Sequence, residues 1–211
     1  IMTAAEMTRW GLVLAAVTGL IGAAMVADVG PEVLWFGLAL FATAAAYLTP
    51  PLQLNYRGWS EAMVALGFGV LPVVMAAWLQ TGVLDADAAL VSLPVAAWIA
   101  NVLLVNEIPD APADAAVGKT TLVGRLGPAA AARVYVLANL AALAVVLALA
   151  ALGRLHPAVV VLPALLCAAA WRAAQPLLGG AATRPELVRA IKTTLAVHGL
   201  GGLWLALWAV V

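Results

Sequence analysis

Seven apolar runs divide the chain, at residues 10–27, 33–48, 62–80, 88–105, 134–152, 158–174 and 193–211. Each is about 16–20 residues long, the length a helix needs to cross about 30 Å of hydrocarbon. Ala, Val and Leu dominate the runs without period-2 alternation, which predicts helices rather than the strands of a barrel. Internal glycines and alanines permit close helix packing. Pro72, Pro94 and Pro163 lie inside runs and predict kinks there. The expected fold is all-α: a polytopic transmembrane helical bundle of about seven spans, one domain over residues 1–211.

The polar positions between the runs are sorted by charge. If the spans alternate, Arg9, Arg57, Lys119, Arg125, Arg133, Arg172, Arg184, Arg189 and Lys192 share one side. Arg154 falls on the other, with Asp28, Glu32, Asp85 and Asp87. By the positive-inside rule, loops 49–61, 106–133 and 175–192 are expected on the cytoplasmic face of a prokaryotic plasma membrane. Composition then fixes the class. At 66% hydrophobic and 9% charged, with mean hydropathy +1.09, the chain cannot cover a surface with polar groups in water. Its zero net charge offers no sign of a nucleic-acid partner. Cys167 is the single cysteine, and His156 and His198 are far apart, so a cysteine or histidine metal motif is excluded.

The longest polar interruption reads NEIPDAPADAAVGKTTLVGRLG, from Asn106 to Gly127. Three of the ten acidic residues and two of the ten basic ones fall in it, carboxylates first. Asp110 and Asp114 stand four apart, with Asn106 four residues before them. On a helix the three would share one face, about 6 Å between neighbours. Pro109 and Pro112 lack amide donors, so an extended or turn segment after Asn106 is equally open. Either way, hard oxygen donors gather where Mg²⁺ could be bound jointly with substrate phosphates. Lys119 and Arg125 could neutralise that phosphate charge, and Thr120 and Thr121 could add hydroxyl donors. Gly118-Lys119-Thr120 is not a P-loop: Ala113 stands where that motif needs glycine. The loop YLTPPLQLNYRGWSE, from Tyr47 to Glu61, offers Tyr56 for a ring and Arg57 for an anionic oxygen.

The run from Asn106 to Gly127 resembles the second aspartate-rich motif of the UbiA family of intramembrane prenyltransferases. The Pro-Pro and Tyr-Arg-Gly-x-x-Glu form of the earlier loop is most similar to the branch that prenylates 1,4-dihydroxy-2-naphthoate in menaquinone biosynthesis. The resemblance implies Mg²⁺ as cofactor, held by Asn106, Asp110 and Asp114. It implies an isoprenyl diphosphate facing Lys119 and Arg125, and a small aromatic acceptor, with Tyr56 and Arg57 flanking either substrate. Glu61 is a weaker carry-over on the acceptor side. Asp110, Asp114 and Lys119 would carry the catalytic roles. The family has nine spans and a first motif, N-D-x-x-D-x-x-x-D, after the second. No such run occurs here, so the chain is expected to correspond to spans three to nine and to lack its N-terminus, a reading that also fits Ile1 as first residue. On its own it is not expected to turn over. Other acceptors of the family (4-hydroxybenzoate, homogentisate, a porphyrin or a lipid) are the alternatives, followed by a transporter or a non-catalytic membrane protein.

Overall fold

The computed structural model describes residues 2–209; Ile1, and Val210 and Val211 at the end of the last expected span, lie outside them. The described residues form helices α1 Ala4–Val29, α2 Val33–Leu48, α3 Ser60–Thr81, α4 Ala86–Ala116, α5 Leu122–Leu126, α6 Pro128–Ala151, α7 Pro157–Leu178 and α8 Arg184–Ala209. Six are long and apolar enough to cross a membrane: α1, α3, α4, α6, α7 and α8. The remaining expected span, α2, has 16 residues, about 24 Å of helix and short of a full crossing. The chain divides into two compact units, Ile1–Ala42 and Thr43–Val211.

In the first unit, α1 starts at a capping box. Glu6 N donates to Thr3 Oγ1, and the Glu6 carboxylate accepts from the Thr3 amide at 2.7 Å. No residue of α1 is buried, which suits a helix apolar on every side with hydrocarbon around it.

The second unit is a helical bundle. α4 is its central element and packs against α3, α6 and α8. Its 31 residues extend about 46 Å, so its last turns outrun the hydrocarbon thickness. The Asp85 carboxylate caps its start by accepting from Asp87 N at 3.0 Å. The helix does not end near Asn106. It continues through Pro109 and Pro112 to Ala116, which decides between the two readings open from the sequence: the carboxylates stand on a helix.

α3 contains a π-helical stretch, Ala65–Val70, just before Pro72. The irregularity expected at this proline thus appears as a widened turn on its N-terminal side. Gly69 lies in that stretch against the backbone of Ala96, where a Cβ would collide with Ala96 Cα. Trp98, Leu104, Tyr135, Val146 and Val197 lead the core between α4, α6 and α8. Gly201 of α8 gives way to the Trp98 ring, 2.6 Å from where a Cβ would stand. A polar thread runs through this core: Asn101 Nδ2 donates to Tyr135 O at 3.0 Å, and Tyr135 Oη meets Thr194 Oγ1 at 2.9 Å. Buried polar atoms satisfied in this way fix how three helices face one another.

At the α4 N-terminus, Arg154 Nη1 contacts both Asp87 oxygens, at 2.8 and 2.9 Å. The lone cation of its side, Arg154, therefore sits with an acid the sequence sorted to that side. Asp110 and Asp114 lie at the other end of the same helix.

Candidate functional site

α4 carries Asn106, Asp110 and Asp114 at i, i+4 and i+8, one stripe along its last turns. Asn106 is half-buried and its Nδ2 donates back to Val102 O at 2.7 Å, leaving the side-chain oxygen to accept elsewhere. Asp110 is exposed and, among the described residues, its carboxylate has no hydrogen bond or ion pair. Asp114 is half-buried and pairs with Lys119.

The chain reverses at Gly118, whose φ of 73° is the left-handed region glycine enters without strain. That turn folds Lys119 back over the helix end: its amide donates to Asp114 O at 2.9 Å and its Nζ to Asp114 Oδ2 at 3.0 Å. Burial pulls the Lys119 pKa down. The hydrogen bond and charge of Asp114, with Glu107 and Tyr47 adding to them, outweigh burial and raise it above the ordinary lysine value. Lys119 is therefore a fixed cation beside the acidic stripe.

The 49–61 loop joins this end of the bundle. Its 3₁₀ turn Leu54–Tyr56 lays Tyr56 and Arg57 beside the loop after α4. Thr120 N donates to Tyr56 O at 3.1 Å, and Arg57 and Thr120 form an isolated parallel bridge. Arg125 of α5 reaches across to donate from Nη2 to Arg57 O at 2.6 Å. Gly58 makes room for it, since a Cβ there would stand 2.9 Å from Arg125 Nε. Arg57 donates from Nη2 to Pro51 O at 2.6 Å. Each guanidinium has five N–H groups, so one backbone bond apiece leaves both able to meet an anion. Thr121 is committed differently: nearly inaccessible, it caps α5 by accepting from Gly124 N at 3.0 Å.

The candidate residues Tyr56, Arg57, Asn106, Asp110, Asp114, Lys119 and Arg125 thus gather at one end of α4, two loops more than fifty residues apart being pinned by backbone bonds. Residues 4–189 match the UbiA prenyltransferase family. The chain belongs to that family. A 1,4-dihydroxy-2-naphthoate octaprenyltransferase of Haemophilus influenzae is 31% identical over 148 residues, 66% of this chain and 48% of the relative. The UbiA prenyltransferase domain-containing protein 1 of Dictyostelium discoideum is 34% identical over 96 residues, 46% of this chain and 29% of the relative. The chain spans less than half the length of each. No solved structure gives a match of comparable significance. With its long apolar helices, this UbiA family chain is an integral membrane protein.

Two glutamates complete the site. Glu61 stands in the first turn of α3, half-buried, with Oε1 inaccessible and without a hydrogen-bond partner. Glu107, which sequence reasoning passed over, is 3% exposed, and neither of its carboxylate oxygens has a partner. The signal was present: Glu107, Asp110 and Asp114 stand at i, i+3 and i+7, so a third carboxylate shares the helix face of the two aspartates.

Among the described residues, no three Asp, Glu, His or Cys side chains converge around a point. The stripe of Asn106, Asp110 and Asp114 offers hard oxygens along one side only. Such a set suits a divalent cation that keeps the rest of its coordination for water or ligand oxygens.

Proposed function

We propose that this protein is an Mg²⁺-dependent prenyltransferase that moves a polyprenyl group from an isoprenyl diphosphate to an aromatic acceptor, 1,4-dihydroxy-2-naphthoate. The observation that carries this reading is the docking of the Tyr56-Arg57 turn onto the Lys119-Thr120 turn. It sets three cations, Arg57, Lys119 and Arg125, beside an acidic stripe at the end of a long apolar helix. A diphosphate needs that mixture: carboxylates to share a metal with it, and cations to hold its remaining charge. The Haemophilus influenzae relative, a 1,4-dihydroxy-2-naphthoate octaprenyltransferase by name, supports the choice of acceptor.

Asn106, Asp110 and Asp114 are the residues that would hold Mg²⁺. When bound, Mg²⁺ supplies charge that stabilises the departing diphosphate. Lys119, held over the helix end by Asp114, contributes a cation that needs no rearrangement when leaving-group charge develops. Arg57 and Arg125 offer planar donors to the same oxygens. Tyr56 presents a ring and a hydroxyl at the mouth. The apolar faces below supply the hydrocarbon setting for the isoprenoid tail and keep water from an allylic cation.

In the intact protein, prenyl transfer from a prenyl diphosphate to dihydroxynaphthoate should require Mg²⁺. Asp110→Ala and Asp114→Ala should each lower the rate roughly 10²-fold or more, the scale expected when a preorganised charge-stabilising group is lost. Turnover at the wild-type rate in either variant would sink the metal assignment.

A further inference from the structure

Glu61 and Glu107 form a second feature of the same end of the bundle that diphosphate binding does not explain. Three of their oxygens, Glu61 Oε1 and both of Glu107, are inaccessible and unpartnered. The charged groups acting on Glu107 are Glu61 from α3 and Lys119 from the loop after α4. The Glu61 carboxyl group of α3 and the Val123 amide of α5 both lie within reach of Glu107. Two carboxyl groups set against each other satisfy only part of one another's hydrogen-bonding capacity, so burying them is expensive, and a fold with no use for them gains by replacing one with leucine.

Their chemistry restricts what fits. An anion is repelled, so the diphosphate belongs nearer the cations. What fits is a group bringing hydrogen-bond donors without negative charge. Position sharpens this: Glu107 lies three and seven residues before Asp110 and Asp114, about 4.5 and 10 Å further along α4 from its C-terminal end. A flat ring held under a diphosphate at that end would place its substituents at this depth.

We propose that Glu61 and Glu107 together form the hydroxyl-binding pair for the acceptor, their carboxylate oxygens accepting hydrogen bonds from the ring hydroxyls of a hydroxylated aromatic. This rests on the proposed transferase function and names the side chains that recognise its acceptor. Both glutamates are then binding residues, and the unpartnered oxygens are satisfied when the ring is bound. An aromatic carboxylate on the same ring would be turned away from the pair, towards Arg57 and Arg125.

The test is equilibrium binding, which needs no turnover. Reduced 1,4-dihydroxynaphthalene and its dimethyl ether would be titrated calorimetrically into the intact protein in nanodiscs, without prenyl diphosphate, for wild type, Glu107→Leu and Glu61→Gln. The wild type should bind the diol at least about tenfold more tightly than the ether, the scale of one or two buried hydrogen bonds. Glu107→Leu should erase that preference while melting at a higher temperature than wild type in the absence of ligand. Glu61→Gln should reduce the preference. Equal affinity of the wild type for diol and ether, or a preference that survives in both variants, would overturn the proposal. So would Mg²⁺ alone raising the melting temperature of wild type but not of Glu107→Leu, which would make the pair a cation site. Selective diol binding without prenyl transfer would leave the pair standing and remove the transferase reading instead.

Discussion

Lys119 shows how one side chain can organise the site's charge. Its Nζ is held by Asp114 at 3.0 Å, and its amide by the carbonyl of the same residue. Its pKa is raised above the lysine value, so the sign is clear. The contact stabilises the folded chain fully below the unfolded lysine pKa and is lost only as pH rises through the still higher folded value. The melting-temperature difference between wild type and Lys119→Met should therefore be flat from about pH 6 to pH 9. A difference that faded within that window would show that Lys119 loses its charge there. In prenyl transfer, Lys119→Met should cost roughly 10²-fold in kcat; an effect confined to the KM of the acceptor would move Lys119 from the diphosphate to the ring. Glu107 makes the complementary point. Its identity is plain in the sequence, but whether a glutamate next to Asn106 faces water or the inside depends on which helices close over it.

Among the elements, the contact between α3 and α4 depends on the smallness of Gly69. A Cβ there meets the Ala96 backbone, which cannot swing aside as a long side chain could. Gly69→Ala should lower stability by about 1–3 kcal/mol, the usual cost of overpacking, read as a lower unfolding midpoint in detergent. Gly19→Ala in α1 has nothing within 4 Å of the new Cβ and should leave that midpoint unchanged or raise it slightly, since alanine favours helix. Equal effects from the two would mean that packing against Ala96 does not decide the first. The loops obey a similar rule. Gly58, at φ 69°, lies under the Arg125 guanidinium, so Gly58→Val should loosen the bridge between the two loops. Prenyl transfer should then fall by more than the melting temperature would suggest, and parallel losses would mean that the variant merely unfolds. The helices themselves were apparent in the run lengths. The course of α4 through Pro109 and Pro112 was not, because local propensity alone disfavours proline inside a helix and only the contacts along α4 outweigh it.

At the scale of the molecule, the charge sorting predicts sidedness. Arg154 and Asp87 meet at the start of α4, while Asp110, Asp114 and Lys119 lie at its other end. Native Cys167 is buried, so introduced cysteines can report alone. In intact cells, Arg154→Cys should react with a membrane-impermeant maleimide and Ala113→Cys should not, reversing in inside-out vesicles. The opposite pattern would place the site on the outer face.

The sequence by itself determined the class, the run lengths of the helices, the sorting of charge and the family, because each is a local or compositional property. Six of the apolar runs became helices long enough to span; the 33–48 run became one of 16 residues. It also supplied Asp110, Asp114 and Lys119 as a group, since they are neighbours along the chain. Only the tertiary structure decided that Arg57 and Thr120 form a bridge, that Arg125 closes over Gly58, and that Glu61 and Glu107 are set against each other. Those relations join segments dozens of residues apart. They depend on how closely α3 and α4 approach and on the turn that Gly118 permits, and a one-dimensional pattern of residue types does not carry distance across a fold.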